Sequence, residues 1–245
     1  MVMTGAADCL AAWEAGAGRA PAGRALLLHH AARPDLAGDT QALLALPVGE
    51  READLFSLRR ALFGDRMQVR LACRACGEDM EFELDAGEFA RSLADSGRDP
   101  LVRVAENGWE VEFRVPAVAD LTAAARDADP RRALLARCVV SAVRNGEPVP
   151  AYDLPAEVQR RIAEAAEAAD PAADVALNVA CPDCGEATRA ELDIASYLWT
   201  ELDAWARDLL LDVHLLATAY GWTEPEILAL SPLRRRYYLE LCADV

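Results

Sequence analysis

Apolar positions along the first third of the chain recur at helical spacing. "CLAAWEAG" reads as a short helix, and "GRALLLHHAAR" as a second that Pro34 stops. Asp39 can cap "TQALLAL", which Pro47 ends. In "EREADLFSLRRALFG", Leu55, Leu58 and Leu62 share a face and Gly64 supplies the stop. The period then switches from helical to alternating. "MQVRLAC" and "DMEFELD" predict two strands around a Cys-x-x-Cys-Gly turn. Asp85 is placed to cap a helix over "AGEFARSLAD". "LVRVAENGWEVEFRV" predicts a hairpin turned at Asn107-Gly108.

From Asp120 to Ala169 the pattern is helical again. Asp129-Pro130 opens "RRALLARCVVSAV", which reads as one helix. "NGEPVPAYDLP" reads as a loop, and "AEVQRRIAEAAEAA" as a helix closed by Asp170-Pro171. "DVALNVAC" and "EATRAELD" restore the strand, turn, strand pattern. Asp193 is positioned to cap a long helix from Ile194 to Tyr220. Its stripe is Ile194, Leu198, Leu202, Trp205, Leu209, Val213, Leu216 and Tyr220, and Gly221 ends it. Thr223 and Glu226 fit a capping box, and Ser231-Pro232 starts the last helix, "LRRRYYLELC". The expected fold class is α+β: mostly helical, with two Cys-x-x-Cys knuckle hairpins and an extra β-hairpin. The boundaries expected are 1–66 (N-terminal helical lobe), 67–116 (first knuckle and hairpin), 117–172 (helical insertion), 173–193 (second knuckle) and 194–245 (long helix and terminal helices).

The two knuckles repeat one another. With Cys73 laid on Cys181, Ala72 falls on Ala180, Cys76 on Cys184 and Gly77-Glu78 on Gly185-Glu186. Glu83-Leu84-Asp85 falls on Glu191-Leu192-Asp193, and Phe89 on Tyr197. One Cys-x-x-Cys gives a metal two thiolates, whereas a structural zinc takes four ligands. Two knuckles facing each other supply them, so Cys73, Cys76, Cys181 and Cys184 are the candidate ligands of one structural Zn2+. The two halves form a zinc ribbon split by a long insertion. Other occupancies stand beside this one. A redox pair needs a strand-to-helix context that neither knuckle has. An iron–sulfur cluster also takes four thiolates. Two metal-free buried pairs are the plainest alternative. Four protein ligands leave a metal no open position, which speaks against catalysis there.

Composition narrows the function classes. Of 245 residues, 53% are apolar, enough for a substantial core. The formal charge is -16, so a duplex-DNA partner is not expected, because binding requires cations against phosphates. All basic residues are arginine. No apolar run reaches the ~18 residues of a membrane span, and no basic stretch precedes an apolar one at the N-terminus. A cytoplasmic or particle-associated protein with no membrane partner is the expectation. There is no phosphate loop, nucleophile elbow or acid–base pair, so an enzyme is not expected. Cys9, Cys138 and Cys242 read as packing residues, and His214, within the long helix beside its apolar stripe, as a core or boundary histidine. Aromatic residues concentrate late, at Trp199, Trp205, Tyr220, Trp222, Tyr237 and Tyr238. "SPLRRRYYLEL" places Arg234, Arg235, Arg236, Tyr237 and Tyr238 together, residue types that anchor interfaces.

The long Trp-containing helix, "VHLLATAYGWTEPEILAL" and "SPLRRRYYLEL" resemble the T4-like phage baseplate hub assembly proteins and their relatives in phage-tail-like injection systems. "ALFGDRMQVRLACRACGEDMEFELD" is similar to that family's first knuckle. The resemblance runs from about Ala42 onward. It implies a non-enzymatic protein that helps build, or belongs to, a baseplate, with baseplate, hub or other tail proteins as partners. A zinc-ribbon regulator or adaptor unrelated to tails is the alternative.

Overall fold

A computed structural model describes residues 3, 5–88, 90 and 101–243. The chain is α+β and divides into two compact units, one of residues 35–194 and one of residues 1–34 with 195–245. Helix α1 spans Ala6–Ala17 and α2 spans Pro21–Ala32, with Pro21 at a first-turn position where its missing N–H costs nothing. Among the described residues, no helix is long and apolar enough to cross a membrane.

The 35–194 unit begins with α3 (Thr40–Ala45), whose cap is made by Asp39 accepting from the Ala42 N–H at 2.9 Å. Helix α4 (Val48–Phe63) follows and ends at Gly64, which has φ +83°. Arg59, 2% exposed, staples this end to the next strand. Its guanidinium donates to the Gly64 and Arg66 carbonyls, each at 2.6 Å. Strands β1 (Arg66–Ala72) and β2 (Asp79–Asp85) then pair antiparallel, Ala72 opposite Asp79. Met67, Val69 and Met80 face inward, as the alternation predicts. Of the helix expected over 86–95, residues 86–88 and 90 are helical. The rest, with Phe89, lies outside the described residues.

The hairpin of β3 (Val102–Glu106) and β4 (Trp109–Phe113) turns at Asn107-Gly108, both with positive φ. Helix α5 (Val118–Ala124) leads to α6 (Pro130–Cys138), capped by Asp129 accepting from Arg132 N–H. The helix expected through "RRALLARCVVSAV" stops at Cys138. Val139–Arg144 instead form β5, pair with β4 and continue into β6 (Glu147–Pro148), giving the sheet order β3-β4-β5-β6. The cause is a second Asn-Gly turn, Asn145 at φ +51° and Gly146 at φ +89°, after a run rich in Val. Helix α7 (Ala156–Ala169) lays Val158 and Ile162 on Val104, Val111 and Phe113 of this sheet. Strands β7 (Ala176–Ala180) and β8 (Ala187–Glu191) form the second knuckle hairpin.

In the other unit, α8 (Ile194–Tyr220), α9 (Glu224–Leu228) and α10 (Pro232–Ala243) join α1 and α2. Leu198, Leu202, Leu209 and Leu216 of the expected stripe are buried, while Tyr220 is exposed. Leu10 packs with Ala206 and Leu209, and Trp13 donates to Asp203 at 2.7 Å. The Thr223 backbone and hydroxyl both donate to the Glu226 carboxylate at 2.8 Å, as the capping signal anticipates.

Candidate metal centre and partner surface

The two knuckles fold alike, residue for residue. In the first, Cys73 N–H donates to Glu78 O at 2.8 Å and Gly77 N–H to Cys73 O at 2.9 Å. In the second, Cys181 N–H donates to Glu186 O and Gly185 N–H to Cys181 O, both at 2.9 Å. Gly77 and Gly185 hold φ of +79° and +74°, a region that costs a side chain and not a glycine. Each turn thereby aims two sulfurs at one point.

The points coincide. All four Sγ atoms lie within 4.8 Å of one another. Cys73 to Cys184 and Cys76 to Cys181 are both 3.7 Å. Four thiolates at 2.3 Å from a tetrahedral ion would stand ~3.8 Å apart. The separations are also too long for any disulfide, whose sulfurs bond at ~2.0 Å. Cys73 and Cys181 are buried with Met80, Leu71 and Val179 around them, while Cys76 and Cys184 are exposed. The donor set and its spacing therefore fit a four-coordinate thiophilic ion.

The sulfurs do not ionise alike. Backbone N–H groups of Cys76 and Ala75 bond the Cys73 sulfur and bring its pKa down to about 6. At Cys76 the Glu78 N–H acts in the same direction. Hydrogen bonding to Cys73 and Cys184 outweighs it, and the pKa rises to about 12. One thiolate forms readily, and the neighbouring Cys76 thiol keeps its proton in hydrogen bonds to the other sulfurs.

The C-terminal cluster is split by its helix. Arg235 is turned inward, 9% exposed, and pairs with Asp212 of α8 at 3.1 Å. Tyr238 meets Trp222 and Tyr220 edge-on, at ring distances of 4.9 and 5.7 Å. Arg234, Arg236 and Tyr237 face outward, Arg236 pairing with Glu240 one turn on. Leu233, Tyr237 and Leu241 are 65%, 61% and 58% exposed. The sequence reading named Tyr237 but missed the two leucines, whose signal was their four-residue spacing about it. Of the remaining residues, Cys9 and Cys138 are buried and His214 is exposed.

The family described as T4 bacteriophage base plate protein matches residues 35–199. That stretch contains both knuckles and nearly coincides with the compact unit of residues 35–194. It stops before most of the C-terminal segment that also carried the resemblance. No curated protein and no solved structure matches the chain.

Proposed function

The chain belongs to the T4 bacteriophage base plate protein family, and from that premise we propose a non-enzymatic assembly role. The protein assists construction of, or forms part of, the baseplate or hub of a contractile phage tail or tail-like injection system. The carrying observation is the match across both knuckles. It favours the tail reading over an adaptor unrelated to tails.

Within that role, Cys73, Cys76, Cys181 and Cys184 hold one structural Zn2+, and the two hairpins are halves of a split zinc ribbon. When bound, the ion cross-links β1–β2 to β7–β8, which the chain joins only through a long insertion. The backbone of each knuckle presets its pair of sulfurs, so little reorganisation accompanies binding. The outward face of α10, with Arg234, Tyr237 and the flanking leucines, contacts a tail component. Arg235 and Tyr238 hold α10 in place instead.

Metal analysis of protein purified without chelators should give about one zinc per chain. Cys73→Ser should lower the melting temperature and release the metal, whereas Cys9→Ser, in the other compact unit, keeps it. Two ions per chain, an iron signal or equal behaviour of the two variants counts against the centre. For the assembly role, tail proteins should co-purify from the native host. Tyr237→Ala with Arg234→Ala should lose them at unchanged melting temperature.

A further inference from the structure

Beside the four-stranded sheet, α6 and α7 leave an open slot of about 140 Å³. Leu134 and Leu135 line one side and Ile162 and Ala166 the other, with Phe113 and Cys138 between. Phe113, Cys138 and Ile162 are no more than 5% exposed. The polar groups that reach the wall are already engaged. Gln159 donates its amide to the Leu154 carbonyl at 2.8 Å. Arg114 is held by Asp120 and by the Arg137 carbonyl. The Cys138 thiol, pushed up to about 11 by burial, stays neutral. A water molecule needs two to four polar partners, and this slot offers carbon and sulfur. Cavities of ~150 Å³ with Leu, Ile and Phe walls take a benzene ring instead. The space therefore suits one aromatic ring or one branched aliphatic side chain.

The rim has a sign. With Arg114 already paired to Asp120, Arg131 is the uncommitted charge among the lining residues, and no carboxylate lines the slot, on a chain with 41 acidic and 25 basic residues. Arg131 is exposed in the first turn of α6 and has no ion-pair partner among the described residues. Its guanidinium is free to take a carboxylate through two parallel N–H bonds. We propose that this slot docks a segment of a protein partner that inserts one aromatic or branched aliphatic side chain and sets an adjacent carboxylate against Arg131. The slot lies within the family-matched residues and in a different unit from α10. Its test therefore fails or succeeds independently of tail-protein capture and of the metal.

The full chain is titrated with N-acetyl-Phe-Asp-amide and followed by amide chemical shifts. Saturable shifts should cluster at residues 113, 134–138 and 159–166. N-acetyl-Ala-Asp-amide should bind at least about tenfold more weakly, since a buried ring carries most of the affinity. N-acetyl-Phe-Asn-amide should bind about threefold more weakly, the scale of one exposed ion pair. Arg131→Glu should abolish the preference for Asp while keeping ring binding. Ala163→Phe, at an exposed position on the slot's edge, should fill it and remove binding without changing the melting temperature. The wild-type series alone decides the matter if that variant fails to fold. Shifts that do not saturate, shifts elsewhere, or equal affinity for the Ala and Phe probes overturn the proposal. Self-association of the chain that Arg131→Glu abolishes would also overturn it, by giving the slot to a second copy.

Discussion

Asp120 is a carboxylate with 3% side-chain exposure that takes bonds from three directions. Arg114 donates to it at 2.9 Å, Arg137 at 3.0 Å and the Ala117 backbone at 3.0 Å. Burial on its own would push its pKa up. The Arg114 hydrogen bonds, then the Ala117 N–H and Arg137, outweigh that and hold it below the ordinary value. A depressed folded pKa means stability that is present above the unfolded pKa and lost as pH falls through the folded one. Asp120→Asn should therefore cost about 2 kcal/mol at neutral pH, the scale of hydrogen bonds to a charged group. The gap in melting temperature between wild type and variant should close below the ordinary aspartate pKa of ~3.9. A gap that does not change with pH would contradict the ionic origin. This cluster was not legible in the sequence: Arg114, Ala117 and Asp120 are near neighbours in the chain but form no recognisable pattern, and Arg137 joins them only across the α5–α6 turn. The four cysteines were legible, because their spacing and their repetition are local facts. The three arginines of α10 lie between these cases. Successive helical residues point ~100° apart, so they could not share a face, but only the packing against α8 decides that Arg235 is the inward one.

At the scale of elements, turn chemistry explains both what the sequence reading located and what it missed. Gly64, Asn107-Gly108, Asp129-Pro130 and Gly221 all mark boundaries that the structure keeps. Strand β5 escaped because "CVVSAV" continues a helical stripe, and its local signal, Asn145-Gly146, lies beyond it. The structure ties the two Asn-Gly turns together through Asn145 N–H to Gly108 O at 2.8 Å, and lays Arg144 over the Trp109 ring at 5.3 Å. Neither long-range contact has a sequence pattern. A similar contact fixes the start of α4. Gly49 N–H donates to Asp170 at 2.9 Å, and a Cβ on Gly49 would fall 1.8 Å from the same carboxylate. Gly49→Ala must displace Asp170 and break that bond. It should destabilise by about 2–4 kcal/mol, the range of other buried clashes and lost polar contacts. Gly18→Ala, with nothing within 4 Å of the added carbon, serves as the control and should leave the melting temperature nearly unchanged. Equal melts for the two would remove this contact from the account of α4.

The whole molecule carries a formal charge of -16, and that bears on what it meets. Non-specific DNA affinity rests on neutralised phosphates, so no salt-sensitive complex with duplex DNA should form at physiological salt. A micromolar complex in a mobility-shift assay would revive a regulatory role. The division of the chain makes a further claim testable. Residues 35–194 contain the sheet with its covering helix and all four knuckle cysteines, and the family match covers them entirely. If that unit is the family's core, the four-cysteine centre proposed to hold Zn2+ needs neither α1–α2 nor the helices after Ile194. A chain cut to residues 35–194 should melt cooperatively and retain the zinc content of the full protein. Its core is of sufficient size, since ~150 residues bury roughly two thirds of the surface an unfolded chain exposes. Calorimetry and metal analysis of the shortened chain check both points. A chain that melts without cooperativity, or holds less zinc than the full protein, would show that the terminal helices belong to the same folding unit. The knuckles would then depend on packing from outside the family-matched stretch.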